Sequence, residues 1–344
     1  MKYRGAGPEW FGPVVGTLSV SLTLYLISLV YNNSIIFRIG SYVYYLDLFI
    51  FFFVLVSLFY YYISGNGNII DDSFNIQKFP FFGFIGILYF ALAFFFYAYI
   101  GINRDIAFIM LYLYYFFYAY MIILNLLLSY RIYTGAIKYE NIAYTSLIPI
   151  ISLAGNIILS SILMPPTLDY FINYRDILIS MYMLIMAGTG IAVLQFIFIG
   201  NISIMAHMNN GRQKAPATMI PLGASSMIAI NLLFMPIFNK LKIFYVPEYL
   251  AVDVSTMLWG FEVLSFLTGL VMAIFHFRNK PSVATWAYVF PSGISTFANY
   301  LLYIETGLQL FKYSILIISI GVYGLYIYSL KNTFIIIKNA LKNS

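Results

Sequence analysis

The sequence predicts an all-α integral membrane protein of ten transmembrane helices, built as five repeated helical hairpins. Three observations predict it. Hydrophobic residues make up 62% of the 344 and charged residues 9%, against roughly 25% charged in an ordinary soluble domain. Five prolines, Pro13, Pro80, Pro149, Pro221 and Pro291, recur 67, 69, 72 and 70 residues apart, each near the start of an apolar stretch long enough to cross a bilayer. The residues around them repeat one pattern of apolar residue, proline, then small residues: Phe11-Gly12-Pro13-Val14-Val15-Gly16, Phe79-Pro80-Phe81-Phe82-Gly83, Ile148-Pro149-Ile150-Ile151-Ser152, Ile220-Pro221-Leu222-Gly223-Ala224 and Phe290-Pro291-Ser292-Gly293. Such a period holds two membrane helices of about 20 residues each with their connections.

The hairpins fall at approximately 8–63, 79–128, 146–199, 219–277 and 283–330. The polar segments between them, Ser64 to Lys78, Ser129 to Thr145 and Gly200 to Thr218, are too short to bury a core of their own. A single transmembrane domain, 1–344, therefore accounts for the chain. An odd set of similar hairpins cannot split into two equivalent halves that rock against each other, so closure into a ring about a central axis is the simpler arrangement.

Odd and even helices differ. The five even stretches, roughly 42–63, 106–128, 177–199, 252–277 and 309–330, contain no proline. Helices carrying Pro and Gly can bend and be approached closely by backbone or ligand, whereas uninterrupted Leu, Ile, Phe and Tyr helices suit lipid. The odd helices are thus expected to line the axis, with the five prolines as kinks, and the even ones to face the bilayer.

Lys2 and Arg4 precede the first helix, which is too long for a signal-peptide core and carries the first copy of the repeat. The N-terminus, the connections after even helices and the C-terminal tail carry 12 of the 18 basic residues, and connections after odd helices carry 6. This bias predicts both termini in the cytoplasm. The chain has no cysteine, so neither a disulfide nor a thiolate metal site enters.

The odd helices carry no Asp, Glu, Lys, Arg or His from Phe11 to Tyr31, Phe79 to Ile100, Ser146 to Leu163, Met219 to Phe238 and Val283 to Tyr303. They offer small and neutral hydrogen-bonding groups instead: Gly16, Thr17, Gly83, Ser152, Asn156, Gly223, Ser225, Ser292 and Gly293, with Asn231 and Asn299. Hydroxyl, amide and backbone N–H dipoles can solvate an anion without trapping it, and the positive ends of helices favour negative charge. Singly, each of these residues reads as a packing position. Together, in a chain of formal charge +6, they favour anion over cation permeation.

Three acidic residues lie in or beside even helices: Asp47, Asp253 and, in Trp259-Gly260-Phe261-Glu262, Glu262. A carboxylate at membrane depth is costly and marks a functional candidate. Glu262 reads first as a structural partner of a nearby amide and is also the one deep candidate for a proton-linked group, and Asp253 reads as interfacial. His207 and His276 have no second ligand at metal spacing, so no metal and no cofactor is expected. A membrane enzyme would need clustered Asp, Glu, His or Arg at one membrane face. The 12 acids and 2 histidines are instead scattered, and no enzymatic activity or nucleic-acid binding is expected.

The segment Gly7-Pro8-Glu9-Trp10-Phe11-Gly12-Pro13-Val14-Val15-Gly16-Thr17 resembles the opening Pro-x-Trp-Phe and Gly-Thr motif of the tellurite-resistance/dicarboxylate transporter family, also called the voltage-dependent anion channel family. That family includes malic acid transporters, fungal sulfite exporters and plant slow anion channels. Phe79-Pro80-Phe81-Phe82-Gly83 is similar to the start of its third helix and Ile220-Pro221-Leu222-Gly223-Ala224-Ser225-Ser226 to its seventh. Thr285-Trp286-Ala287-Tyr288-Val289-Phe290-Pro291-Ser292-Gly293 resembles the Trp-x-x-x-Phe-Pro stretch of its ninth. The resemblance spans the chain. It implies ten helices, an odd-helix pore with pseudo-fivefold symmetry, assembly as homotrimers, and a pore-blocking phenylalanine that the Phe-Pro motif aligns with Phe290. Two departures stand out: the third-helix motif, which in relatives often begins His-Pro, is here Phe79-Pro80, and the usual Gly-Thr after it is Gly83-Phe84.

The expectation is a plasma-membrane channel or low-affinity carrier for small anions, namely malate and other C4-dicarboxylates, sulfite, or inorganic monovalent anions. The alternative is a proton-coupled carrier of C4-dicarboxylates or sulfite, with Glu262 as the titrating group.

Overall fold

The computed structural model describes residues 7–210, 216–242, 245–277 and 281–342. Lys2, Arg4, Arg212, Lys214, Arg278 and Lys280, which enter the count of basic residues, lie outside the described residues. The described chain is helical. In order it forms α1 (Phe11–Tyr31), α2 (Ser34–Ile63), the short α3 (Ile69–Phe74), α4 (Gly83–Ile100), α5 (Arg104–Tyr133), α6 (Ile148–Ala154) and α7 (Asn156–Tyr170). There follow α8 (Tyr174–Asn210), α9 (Ile220–Phe234), α10 (Glu248–His276), α11 (Val289–Thr306) and α12 (Gln309–Lys342).

Tight turns join several successive helices. Asn32 ends α1 in the left-handed region at φ 47°, and the Asn33 side chain accepts from the N–H groups of Ile35 and Ile36 to start α2. Asn and Gly tolerate that backbone, and an Asn N-cap satisfies donors a new helix leaves free. Gly101 at φ 91° with Asn103 as N-cap repeats the device between α4 and α5, and Gly307 at φ 68° ends α11. The expected loop from Ser64 to Lys78 contains α3, and α8 runs on to Asn210, well into the expected connection.

Nine helical stretches among the described residues are long and apolar enough to cross a bilayer. The turn Val283–Tyr288 with α11 is not one of them, because Ser292, Ser295, Thr296, Asn299 and Glu305 dilute its apolar residues. Burial divides the stretches cleanly. Those containing α1, α4, α7 and α9 are 67%, 67%, 94% and 78% buried over their apolar windows, whereas α2, α5, α8, α10 and α12 are 28–39% buried. Most of α11 is buried as well. The proline-bearing segments are therefore covered by protein, and the proline-free helices present apolar side chains such as Phe49, Phe53, Tyr112, Phe198 and Ile320 outward.

The buried segments form a closed circuit of neighbours: α1 packs on α4, α4 on α6 and α7, these on α9, α9 on α11, and α11 back on α1. Each outer helix lies over the groove between two consecutive members. Thus α5 touches α4 and α7, α8 touches α6 and α9, α10 touches α9 and α11, and α12 touches α11 and α1. Close approach within the circuit rests on glycine. A Cβ at Gly83 would stand 2.9 Å from Pro149 Cα, and one at Gly223 would stand 3.1 Å from Pro291 Cβ.

The prolines do not kink helix interiors as expected. Pro13 and Pro291 are third residues of α1 and α11, Pro149 and Pro221 second residues of α6 and α9, and Pro80 lies in the 3-10 turn Phe79–Phe82. Each marks the passage from a 3-10 turn into an α-helix, where a missing N–H costs nothing. The interior break falls at Gly155, between α6 and α7. Carbonyls there are satisfied by side chains: Asn156 Nδ2 donates to Leu153 O at 2.7 Å and Asn231 Nδ2 to Ala154 O at 3.0 Å. Irregular backbone at membrane depth is tolerated under such satisfaction.

Candidate functional site

Two cavities lie at opposite ends of the circuit, and every inner segment reaches both. The first, of about 630 Å³, is lined by Gly12, Phe84, Thr145, Ala217 and Trp286, one from the beginning of each segment, with Glu9 and Glu140 at its wall. The second, of about 570 Å³, is lined by Tyr25, Phe94, Ser161, Phe234 and Phe297, one from the far half of each segment, with Lys240, Glu248 and Glu305 near its mouth. All five segments therefore run in the same direction. Their N-terminal ends converge on the first cavity, where aligned peptide dipoles favour negative charge.

Aromatic rings meet in the interior of the circuit. Phe290 of α11 meets Phe84 of α4 edge to face, with centroids 5.6 Å apart at 81°. The two helices do not pack along one another; α1 lies between them in the circuit. A contact between non-adjacent members of such a circuit crosses its interior. Both rings are buried, Phe84 at 4% and Phe290 at 9% exposure.

The small and polar residues expected to line a pore line neither cavity. Thr17 donates to Pro13 O at 2.8 Å and contacts the Tyr326 hydroxyl of α12. Asn156 accepts from Tyr114 of α5 at 3.0 Å, and Asn231 accepts from Thr189 of α8 at 2.9 Å. Ser225 donates to carbonyls of its own helix, Pro221 and Leu222, and Ser292 to Tyr288 O in the turn just before α11. Ser152 is fully buried, with no partner for its hydroxyl. The glycines make close approaches: Gly16 faces the Trp286 ring, Gly83 Pro149, Gly223 Pro291 and Gly293 Ser19. In this arrangement these polar groups serve helix packing. A hydroxyl in a membrane helix satisfies itself on the preceding turn, which leaves it no need to face water.

Glu262 is buried at 1% exposure on α10, in the groove between α9 and α11. Its Oε2 accepts from Ser295 Oγ of α11 at 2.6 Å, and Ser226 of α9 lies beside it. Its Oε1 has no partner. Asp47 on α2 is fully buried with both oxygens unpartnered, and Asp253 is exposed. The Trp286 ring fills the space over Gly12 and Gly16, and its Nε1 donates to Thr333 of α12 at 2.8 Å. The residue that begins the Trp-x-x-x-Phe-Pro stretch thus fastens α1 and α12 together.

Residues 6–334 match the family model described as SLAC1, voltage-dependent anion channel. The chain belongs to this family. Membership makes it a multi-pass membrane protein that carries anions as a channel or transporter, in a family of channels and transporters, not of enzymes. No curated protein sequence matches the chain significantly. Within the voltage-dependent anion channel frame, Phe84 is the residue that sequence reasoning missed. It was visible there only as a departure, phenylalanine where relatives often carry threonine, and its geometric meaning lies in the ring of Phe290 opposite.

Proposed function

We propose that this chain is a gated channel or low-affinity transporter for small anions in the plasma membrane, with Phe290 as its gate and Phe84 as the surface it closes on. Ten helices in five hairpins would surround a path with pseudo-fivefold symmetry, and both termini would lie in the cytoplasm beside the first cavity. The protomer is proposed to assemble as a homotrimer with one path per subunit. Substrates in this reading are C4-dicarboxylates such as malate, sulfite, or inorganic monovalent anions. The observation that carries it is the Phe84–Phe290 contact across the interior, between two cavities reached by all five inner segments. A ring in a narrow neck excludes water, and an anion that has lost its hydration without replacement does not pass. Purified protein in liposomes tests the reading, through uptake of malate, sulfite, nitrate and chloride with and without a pH gradient. Uptake that ignores the gradient supports a channel, and absence of uptake of all four anions from parent and Phe290→Ala protein overturns it.

The proton-coupled reading is carried by Glu262, whose carboxylate bridges α10 to α11 one turn past Pro291. No basic residue occurs on α9 or α11 to pair with it. Glu262→Gln keeps the volume and an acceptor for Ser295 while removing the titration. In the channel reading the variant is expected to fold and to conduct within about twofold of the parent, since the bond from Ser295 is kept and a single hydrogen bond is worth only ~0.5–1.5 kcal/mol of stability. Gradient-driven uptake by the parent that vanishes in Glu262→Gln would establish the coupled carrier instead.

A further inference from the structure

We propose that Phe297, with Phe94 and Phe234, forms a second aromatic barrier in the anion path, set at the far end of the closed stretch from Phe290. The proposal rests on reading the interior of the helix circuit as the anion path. Phe297 of α11 meets Phe94 of α4 with centroids 5.9 Å apart, and meets Phe234 of α9 at 6.0 Å. The Phe297–Phe94 contact again joins two helices that do not pack along one another, so it crosses the interior as the Phe290–Phe84 contact does. Tyr25 of α1 closes edge to face on Phe94 at 6.1 Å. Four inner segments thus supply rings to one layer, and that layer forms the floor of the second cavity.

Helical spacing places the two layers on one line. Phe290, Ile294, Phe297 and Leu301 follow at i, i+4, i+7 and i+11, a single face of α11. Seven residues separate Phe290 from Phe297, a rise of about 10 Å at 1.5 Å per residue. The polar residues Ser295 and Asn299 lie on another face, where Ser295 donates to Glu262 of α10. Ile294, 5% exposed, stands between the layers. Each cavity therefore ends on its own pair of crossing rings, and an anion loses water at both. Removing either layer shortens the dry stretch, and removing both opens it.

The absence of cysteine makes a labelling test direct. Ile294→Cys supplies the sole thiol, placed between the two layers, and purification in detergent gives reagent access to both cavities. A small charged methanethiosulfonate reagent is expected to leave it unmodified in the otherwise parental protein and to modify it when Phe297→Ala is added. Phe297→Leu, which keeps more of the volume, serves where the alanine variant fails to elute as a folded particle. Modification in the parental background means that the second cavity already reaches past Phe297, and overturns the barrier. So does continued protection in both Phe297 variants. In liposomes, Phe290→Ala/Phe297→Ala is expected to exceed Phe290→Ala in anion flux by roughly tenfold, and equal flux in the two overturns the proposal. Labelling needs no transport: protection behaving as expected in protein that passes no anion would sink the functional reading while the second barrier stood.

Discussion

Phe290→Ala is expected to raise anion flux through reconstituted protein by roughly tenfold, a change that needs only ~1.4 kcal/mol off the barrier. The Phe290 side chain meets Phe84 across the interior and is buried between the two cavities. Truncation to a methyl removes most of an aromatic side chain that buries 150–250 Å² or so, and leaves a gap continuous with the first cavity, into which water can follow. A water-filled gap restores hydration to the ion over part of the path. The rise is held to this order because the rings of Phe94, Phe234 and Phe297 remain in place. A buried Phe→Ala change costs about 3–5 kcal/mol of stability where the cavity stays empty, so elution as a folded particle and equal protein density in the vesicles are the necessary controls. Equal flux in variant and parent under those controls removes Phe290 from the gate.

Gly83→Val is expected to abolish the folded particle, or to lower its melting temperature by many degrees. The ideal Cβ at Gly83 lies 2.9 Å from Pro149 Cα and 3.0 Å from Pro149 N. Both are backbone atoms of the next inner segment, and a proline at the second position of α6 gives that backbone little freedom to withdraw. Overpacking a close-packed core costs typically ~1–3 kcal/mol. Here the clash also pushes α4 from α6, so it opens the circuit at one of its five joints. Gly16 is no milder, because its neighbour is the ring of Trp286, buried and held to Thr333. Gly190→Ala on α8 and Gly324→Ala on α12 have open space and ordinary helical backbone. They are expected to leave the melting temperature unchanged or slightly raised, by the ~1 kcal/mol that alanine gains over glycine in a helix. Should Gly83→Val melt with the parent, the backbone contact with Pro149 is not what holds α4 to α6.

Much of the architecture was legible before any coordinates. The proline spacing marked where each inner segment begins, because a residue without an N–H fits a helix start and the repeat placed five such starts alike. The absence of proline and the continuous apolar residues of the outer helices marked the faces that meet lipid. The role of those prolines was less legible. A proline near a helix start and a proline at a kink read alike until the preceding residues are known to form a 3-10 turn, and the real break, at Gly155-Asn156, carries no proline at all.

The facing of side chains was decided by the tertiary structure. In water, a helix declares its buried face by amphipathic periodicity. In a bilayer both faces are apolar, so the sequence of α11 does not say whether Phe290 and Phe297 or Ser295 and Asn299 look inward. Ser and Thr hydroxyls can bond to the preceding turn, so their polarity imposes no direction, and the expected lining of Thr17, Asn156 and Ser292 turned to packing. The Phe-Pro motif singled out Phe290 among 33 phenylalanines. Phe94, Phe234 and Phe297 carry no such mark, and Phe84 only that of a departure; Phe84 and Phe94 became distinct when their ring contacts with the non-adjacent α11 placed them across the interior. By itself, the sequence determined the solvent of the protein and which of its helices lie inside. What fills the axis depends on contacts between residues more than 60 positions apart in the chain, and no local pattern in an apolar solvent records those.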